Sequence, residues 1–301
     1  MRAPLFLAIP AVLLVGLTAC APGPRDPASD GHVHIVASTN VYGDLARSVA
    51  GEDAEITSII DDAAQDPHQF EASPRVQLAL SEADIVIVNG GGYDDFMHTL
   101  LGAVGNDEAI VIDAVSISGL DAGADGFNEH VWYDYDAMAN LVAQLANALQ
   151  RVDQENAWQY EISEGDVSAE LESLAATADE ARTAVAGAGV VVTEPVPLYL
   201  LDAMGFENIT PPAFSEAIEE DSDVSPALLQ SVLNLIGDGS AELVAYNAQT
   251  GGSQTDAVLD IASENDVPAV AVTEILPEGM HYVAWQRAIQ QAFLSAVDDD
   301  D

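Results

Sequence analysis

The sequence has 301 residues, and its 51 Asp and Glu residues outnumber its 7 basic residues so far that the formal net charge is −44. Phosphate binding needs a basic surface, so this balance excludes nucleic acid as a partner and binding to an anionic membrane through a polybasic face. Hydrophobic residues make up 49% of the chain, which predicts a folded body rather than a disordered acidic chain. The length is sufficient for two lobes of roughly 120 residues each.

The N-terminus has the pattern of an export signal. The apolar run over residues 3–19 is short for a membrane span and suits the core of a signal peptide. The Leu17–Cys20 segment resembles the bacterial lipobox. That resemblance implies a lipoprotein signal peptide over residues 1–19, lipidation of Cys20 and a flexible tether over residues 20–32. An ordinary signal peptide with an incidental cysteine is the alternative.

Short β-branched runs alternate with helical patterns from Val33 onward. The predicted strands cover residues 33–37, 55–60, 84–88 and 109–113 in the first half and 190–193, 207–210, 242–246 and 269–273 in the second half. Continuous apolar strands separated by helices are typical of parallel sheets that are buried on both faces. The predicted fold is therefore α/β, with two lobes that each contain a four-stranded parallel sheet flanked by helices.

The segment between the two sets of strands is predicted to be helical. Residues 136–186 contain no strand-like run, and good helix formers predominate there. We expect one helix to complete the first lobe and one long rigid helix, residues 156–186, to join the lobes. The N-terminal lobe then covers residues 33–155 and the C-terminal lobe residues 187–297, and residues 298–301 form an acidic tail.

Two glutamates follow apolar strands in equivalent positions. Glu194 ends the run Val190–Glu194, and Glu274 ends the run Val270–Glu274. Ligands of open parallel sheets bind beyond the carboxyl ends of the strands, and a carboxylate that leaves a buried strand needs a hydrogen-bonding partner or a metal. Either glutamate alone could cap the helix that follows it. Their recurrence makes them candidate metal ligands.

Two histidines lie in predicted strand-end loops of the first lobe. His68 follows the second predicted strand, and His130 follows the fourth. Neutral imidazole is the commonest metal ligand at neutral pH, although either histidine alone could be an ordinary loop residue. Together with the two glutamates they would form a cleft site with four N and O ligands. His281 is a reserve ligand candidate, and the histidines expected to be structural or exposed are His32, His34 and His98.

The motifs of common enzyme classes are missing. The sequence contains no nucleophile elbow, zinc-protease helix motif, P-loop or dinucleotide fingerprint. Gly90–Gly92 follows the third predicted strand and is interpreted as a turn. Four protein ligands would also fill the coordination shell of a metal, as they do in structural sites. These features favour metal capture over catalysis and indicate no organic cofactor.

Two segments carry the signatures of a known family. Asp66–Pro74 is similar to D-P-H-x-[FY]-x-x-[ST]-P, and His130–Asp134 is similar to H-x-W-x-D. Through these segments the chain resembles the zinc- and manganese-binding class of ABC-importer solute-binding proteins, over residues 33–297. Glu194 aligns with the third ligand of that family, which is His or Glu, and Glu274 with the fourth, which is usually Asp. The resemblance implies His68, His130, Glu194 and Glu274 as metal ligands. They are the same four residues that were selected above from their positions after predicted strands.

The resemblance also implies a function and partners. It implies a lipoprotein on the outer face of the cell membrane that captures Zn²⁺ or Mn²⁺ and delivers it to an ABC permease with a cytoplasmic ATPase. We expect the protein to be a monomer. Two imidazoles with two carboxylates form a manganese-type ligand set, although Zn²⁺ binds more tightly than Mn²⁺ at most N and O sites. The alternatives are an exported metal-dependent hydrolase, an adhesin-like surface lipoprotein and a binder of small organic solutes.

The large negative charge predicts a response to salt. Repulsion among the carboxylates destabilises the compact state, and salt screens that repulsion. We therefore expect the melting temperature to rise as NaCl is added, which thermal unfolding at increasing salt concentration measures. We interpret this charge as that of a protein from a high-salt habitat, and a melting temperature that does not rise would contradict this interpretation.

Overall fold

The computed structural model describes residues 32–62, 70, 73–124 and 126–298. Within these residues lie two four-stranded sheets in which neighbouring strands run parallel. The first sheet contains β1 (Val33–Thr39), β2 (Ala54–Ile60), β3 (Ile85–Val88) and β4 (Ile110–Asp113), and the second contains β5 (Gly189–Val192), β6 (Glu207–Asn208), β7 (Leu243–Asn247) and β8 (Ala269–Val272). The strand order is β2-β1-β3-β4 in the first sheet and β6-β5-β7-β8 in the second.

Helices flank both sheets. Those of the described residues are α1 (Asn40–Ala50), α2 (Pro74–Glu82), α3 (Asp95–Val104), α4 (Ala114–Ser118), α5 (Tyr135–Val152), α6 (Ala157–Val185), α7 (Leu198–Met204), α8 (Pro212–Glu219), α9 (Pro226–Gly237), α10 (Ser253–Glu264) and α11 (Tyr282–Asp298). None of the helices in the described part of the chain is both long and apolar enough to cross a bilayer.

The predicted α/β fold is confirmed. Every predicted strand is present, and its ends differ by at most two residues from the prediction. The largest correction in the second half is β6, which ends at Asn208 instead of Thr210. The hydroxyl of Thr210 accepts a hydrogen bond from the backbone N–H of Val192 (2.8 Å), and Pro211 and Pro212 follow without N–H groups to continue a strand.

The prediction missed helix α8, which fills the segment between β6 and α9. The helix begins at Pro212, a residue that suits the first position of a helix because its missing N–H has no partner there. Phe214 is fully buried and packs in an apolar cluster with Val191 and Val244 of the second sheet. This anchor fixes the helix against the sheet, and Glu219 is its last residue.

The long helix α6 joins the two halves of the chain. Its 29 residues span about 43 Å, and it begins next to Asp153, which accepts hydrogen bonds from Asn156 (2.8 Å) and Tyr160 (2.7 Å). One continuous apolar core runs from β1 through α6 to α11. The two halves therefore share a core, although the lobe boundaries at 33–155 and 187–297 stay a prediction.

The turn after β3 brings Tyr93 towards the second sheet. Gly90 adopts a φ of 77°, which favours glycine, and a Cβ there would lie 2.4 Å from Asp113 Oδ1. Asp94 closes the turn, because its carboxylate accepts the backbone N–H groups of Asn89 (2.6 Å) and Gly90 (2.8 Å). The turn predicted at Gly90–Gly92 is confirmed.

Several predicted features lie outside the described residues. They are the signal peptide over residues 1–19, the lipidation site Cys20, the tether as far as residue 31, the ligand candidate His68 and the tail beyond residue 298.

The glycine turn generates a stability prediction. Gly90→Ala should destabilise the protein by more than the ~1–3 kcal/mol of a strained φ, because Asp113 must also move. Gly92→Ala is the matched control, since Gly92 has a φ of 101° with no atom within 4 Å of the added Cβ. Denaturant unfolding measures the difference. Equal losses in the two variants would show that the contact with Asp113 contributes nothing.

Candidate metal centre

Two glutamates meet at the carboxyl ends of three adjacent strands in the second sheet. Glu194 lies just beyond β5, Asn247 ends β7, and Glu274 lies just beyond β8. The side-chain amide of Asn247 donates to Glu194 Oε2 (2.6 Å) and to Glu274 Oε1 (2.7 Å). Because β7 lies between β5 and β8, this single amide holds the two carboxylates side by side.

Further donors satisfy these carboxylates. The hydroxyl of Thr250 donates to Glu194 Oε1, and the hydroxyl of Tyr93 donates to Glu274 Oε2 (3.1 Å). Glu194 is only 3% exposed and Glu274 only 5%, so each needs such partners to offset the loss of hydration. Burial and the neighbouring carboxylate of Glu274 raise the pKa of Tyr93. Its hydroxyl therefore stays a neutral donor.

His130 lies in a loop of the first half, and its ring is fully buried. Ring atom Nδ1 lies 2.6 Å from Asn128 Oδ1, which also accepts the backbone N–H of His130 (3.1 Å). Asn128 Nδ2 donates to the carbonyl oxygen of Pro195 (2.9 Å), so the orientation of this amide is set on both sides. In the neutral imidazole Nδ1 therefore carries the proton and Nε2 the lone pair, which is the form in which this ring nitrogen can bind a metal.

Hydrogen bonds join the loop of His130 to the second half of the chain. In addition to the contact with Pro195, the hydroxyl of Tyr199 donates to the carbonyl oxygen of Asn128 (2.7 Å). The hydroxyl of Tyr133 donates to the carbonyl oxygen of Thr273 (2.8 Å), the residue before Glu274. These bonds hold the imidazole and the strand-end carboxylates in one fixed arrangement.

Glu219 lies next to His130, and the sequence alone did not indicate it as a candidate ligand. Its Oε1 atom lies 3.2 Å from His130 Nε2, and its side chain is 13% exposed. The nearest ligand atoms of Glu129, His130 and Glu219 all lie within 4.8 Å of one another. In the sequence Glu219 begins an acidic run with Glu220 and Asp221, so only the prolines that start α8 could have indicated a helix there.

Burial and neighbouring carboxylates raise the pKa of Glu219 to about 9. Burial is the largest cause, and the negative charges of Glu129, Glu274 and Glu194 add to it. In the described ion pairs, the arginines contact Asp179 and Glu170. These pairs therefore do not offset the repulsion at Glu219. The sequence contains no lysine. A divalent cation or a proton would relieve it.

The remaining histidines have other surroundings. His281 is 77% exposed, and its Nδ1 atom lies 2.8 Å from Asp44 Oδ1 of α1. That contact gives no support to its role as a reserve ligand. Three histidines were expected to be structural or exposed. His32 is exposed, His34 lies near Glu55, and His98 lies near Asp113.

The site as a whole offers nitrogen and oxygen ligands in a buried, acidic setting. The imidazole of His130 lies next to Glu129 and Glu219, and the charges of Glu194 and Glu274 act on Glu219. Such a mixed set suits first-row divalent metals, with carboxylate favouring Mn²⁺ and imidazole suiting Zn²⁺. The chemistry of these groups is compatible with a divalent transition metal.

Comparison with known proteins agrees with this geometry. The chain is 23% identical over 304 aligned positions to the manganese-binding lipoprotein MntA of Halalkalibacterium halodurans. The alignment covers 96% of this chain and 83% of that protein. It is 28% identical over 180 aligned positions to the manganese ABC transporter substrate-binding lipoprotein PsaA of Streptococcus pneumoniae. That alignment covers 56% of this chain and 57% of that protein.

A solved structure and a family model extend the comparison. The periplasmic zinc-binding protein TroA of Treponema pallidum superposes with a TM-score of 0.74 at 16% identity, over 89% of this chain and 99% of that chain, which shows a shared fold. The family model described as zinc-uptake complex component A, periplasmic, matches residues 35–296. This protein therefore belongs to the family of periplasmic A components of zinc-uptake complexes.

Proposed function

We propose that this protein is the substrate-binding component of an ABC importer and captures a divalent transition metal, Zn²⁺ or Mn²⁺. The main support for the proposal is that the side-chain amide of Asn247 holds the carboxylates of Glu194 and Glu274 side by side. Tyr93 of the first half donates a hydrogen bond to Glu274. Two buried carboxylates held side by side would interact favourably with a divalent cation. The family and the relatives described above act in zinc uptake and manganese binding.

The proposed ligands are His68, His130, Glu194 and Glu274. Three of them lie in the described part of the chain, and their second contacts support the role: Asn128 orients the ring of His130, and Asn247 orients both glutamates. Outer contacts of this kind fix the orientation of metal ligands. His68 is proposed from its sequence motif alone.

The remaining parts of the proposal concern location and partners. We propose that Cys20 carries a lipid that holds the protein on the outer face of the cell membrane, as the lipoprotein names of its relatives suggest. The bound metal would pass to a membrane permease that a cytoplasmic ATPase drives. We further propose that the protein acts as a monomer with lobes at residues 33–155 and 187–297.

The chemistry favours capture over catalysis. A hydrolase would need one carboxylate to act as a general base on a metal-bound water. Instead, Glu194 and Glu274 both accept hydrogen bonds from Asn247, and the family is described as a component of zinc uptake. This agrees with the expectation that the protein is not an enzyme.

Substitution of the proposed ligands tests the site. His130→Ala and Glu194→Ala should each lower the affinity for Zn²⁺ and Mn²⁺ by about tenfold or more, because each removes one ligand. Isothermal titration of the chelator-treated protein measures the effect, and circular dichroism checks the fold. His281→Ala is the matched control, since its exposed ring contacts Asp44. Unchanged affinity in both ligand variants, or no binding by the wild-type protein at micromolar metal, would contradict the proposal.

The raised pKa of Glu219 predicts how the metal-free protein responds to pH. The carboxyl ionises at the ordinary value of 4.5 when the chain is unfolded but at about 9 when it is folded. Between these values the folded state binds the extra proton, so this group lowers the free energy of unfolding as the pH rises from about 5 to 9. Glu219→Gln stays neutral throughout and lacks this loss.

Thermal unfolding of the metal-free protein from pH 5 to 9 measures this difference. The advantage of Glu219→Gln over the wild-type protein should grow steadily with pH. Glu216→Gln is the control, because that side chain lies on the same helix, is exposed, and is not among the charges that raise the pKa of Glu219. A constant difference between wild type and Glu219→Gln across this range would show that the carboxyl is already ionised in the folded protein at low pH.

A further inference from the structure

We propose that Glu219 contributes a carboxylate ligand to the captured ion and that this additional oxygen favours Mn²⁺ over Zn²⁺. The inference rests on the proposed metal-capture function and extends it, because Glu219 is not among the four ligands inferred above. It comes from the end of helix α8, a different element from those that hold Glu194 and Glu274.

The distance between the two ligand atoms fits a shared ion. Glu219 Oε1 lies 3.2 Å from His130 Nε2. Two ligands at about 2.0–2.2 Å from one ion, separated by an angle of about 90–110°, lie roughly 2.8–3.6 Å apart. One ion can therefore contact both atoms without a change in the position of either side chain.

The surroundings of Glu219 Oε1 also favour a ligand. This atom is completely shielded from solvent, yet it accepts no hydrogen bond within the described part of the chain. Its contact with the imidazole has the distance of an ion pair but not the geometry of a hydrogen bond. A buried carboxylate oxygen that lacks a donor is costly, and a bound metal ion would supply the missing partner.

The charge around Glu219 points to a cation. The carboxylates of Glu129, Glu194 and Glu274 all repel it, and the described ion pairs of arginine lie with other acids. An ion at the contact with His130 would interact favourably with this whole group of charges. Glu219 would thus join the two halves of the chain through the metal.

The number and type of ligands decide which metal gains most. With Glu219 the protein would supply five ligands, of which three are carboxylates. Zn²⁺ at closed protein sites is almost always four-coordinate and tetrahedral, whereas Mn²⁺ suits carboxylate oxygens and octahedral geometry. The additional oxygen should therefore strengthen Mn²⁺ binding more than Zn²⁺ binding.

A different role for Glu219 makes the opposite prediction. If the carboxylate only forms an ion pair with protonated His130, a metal must break that pair before it can bind. Removal of the carboxylate would then raise the affinity for both metals. The direction of the change in affinity separates a ligand from such a competing ion pair.

The test measures Mn²⁺ and Zn²⁺ affinity of the chelator-treated protein by titration, with a competing chelator for Zn²⁺. Glu219→Gln should lower the Mn²⁺ affinity by about tenfold or more and the Zn²⁺ affinity by about threefold or less. Glu216→Gln, which removes an exposed carboxylate from the same helix, should change neither. Glu219→Ala removes the oxygen with a different side chain and should show the same preference. The electron paramagnetic resonance spectrum of bound Mn²⁺ should differ between wild type and Glu219→Gln and should not change in Glu216→Gln.

The outcomes separate this inference from the function on which it rests. Unchanged or higher Mn²⁺ affinity in both Glu219 variants, together with a loss in His130→Ala, would overturn the role of Glu219 and leave metal capture intact. Equal losses for the two metals would overturn the preference for Mn²⁺. If His130→Ala bound both metals as well as the wild-type protein, the proposed function would itself fail.

Discussion

The burial of several carboxylates next to one imidazole is the constraint on which the site depends. Glu194 and Glu274 are almost fully buried, and Glu219 lies against His130 with its pKa raised to about 9. Like charges at this density are unfavourable in a protein interior. The amide of Asn247 and the hydroxyl groups around it reduce the cost but bring no positive charge. The arrangement therefore favours a bound cation, and this preference is the physical basis of metal capture.

The sheet topology explains why the site forms where it does. Both sheets have the same strand order, and their parallel strands direct their carboxyl ends to one edge. In the second sheet this brings Glu194, Asn247 and Glu274 from three neighbouring strands into contact. Hydrogen bonds from Tyr133 and Asn128 then connect the loop of His130 to the same edge. The shared apolar core and these bonds hold the side chains in place without a bound metal.

The overall charge and the buried charge have different consequences. The net charge of −44 attracts cations of every kind towards the surface, but exposed carboxylates keep their hydration and are screened by salt. The buried carboxylates have lost most of that hydration. Only there do the number, type and spacing of the ligands distinguish one metal from another, so selectivity must come from the interior.

The sequence by itself determined the α/β fold, the strands to within two residues, and the positions of Glu194, Glu274 and His130 at strand ends or in a neighbouring loop. Those features are local, because apolar periodicity and strand-end position can be recognised along the chain. Asn247 and Glu219 could not be identified in this way. Nothing near Asn247 in the sequence shows that it bridges two carboxylates, and Glu219 begins an ordinary acidic run. Their roles arise only when β7 lies between β5 and β8 and when α8 packs against the second sheet, since contacts between residues distant in sequence are decided by tertiary packing.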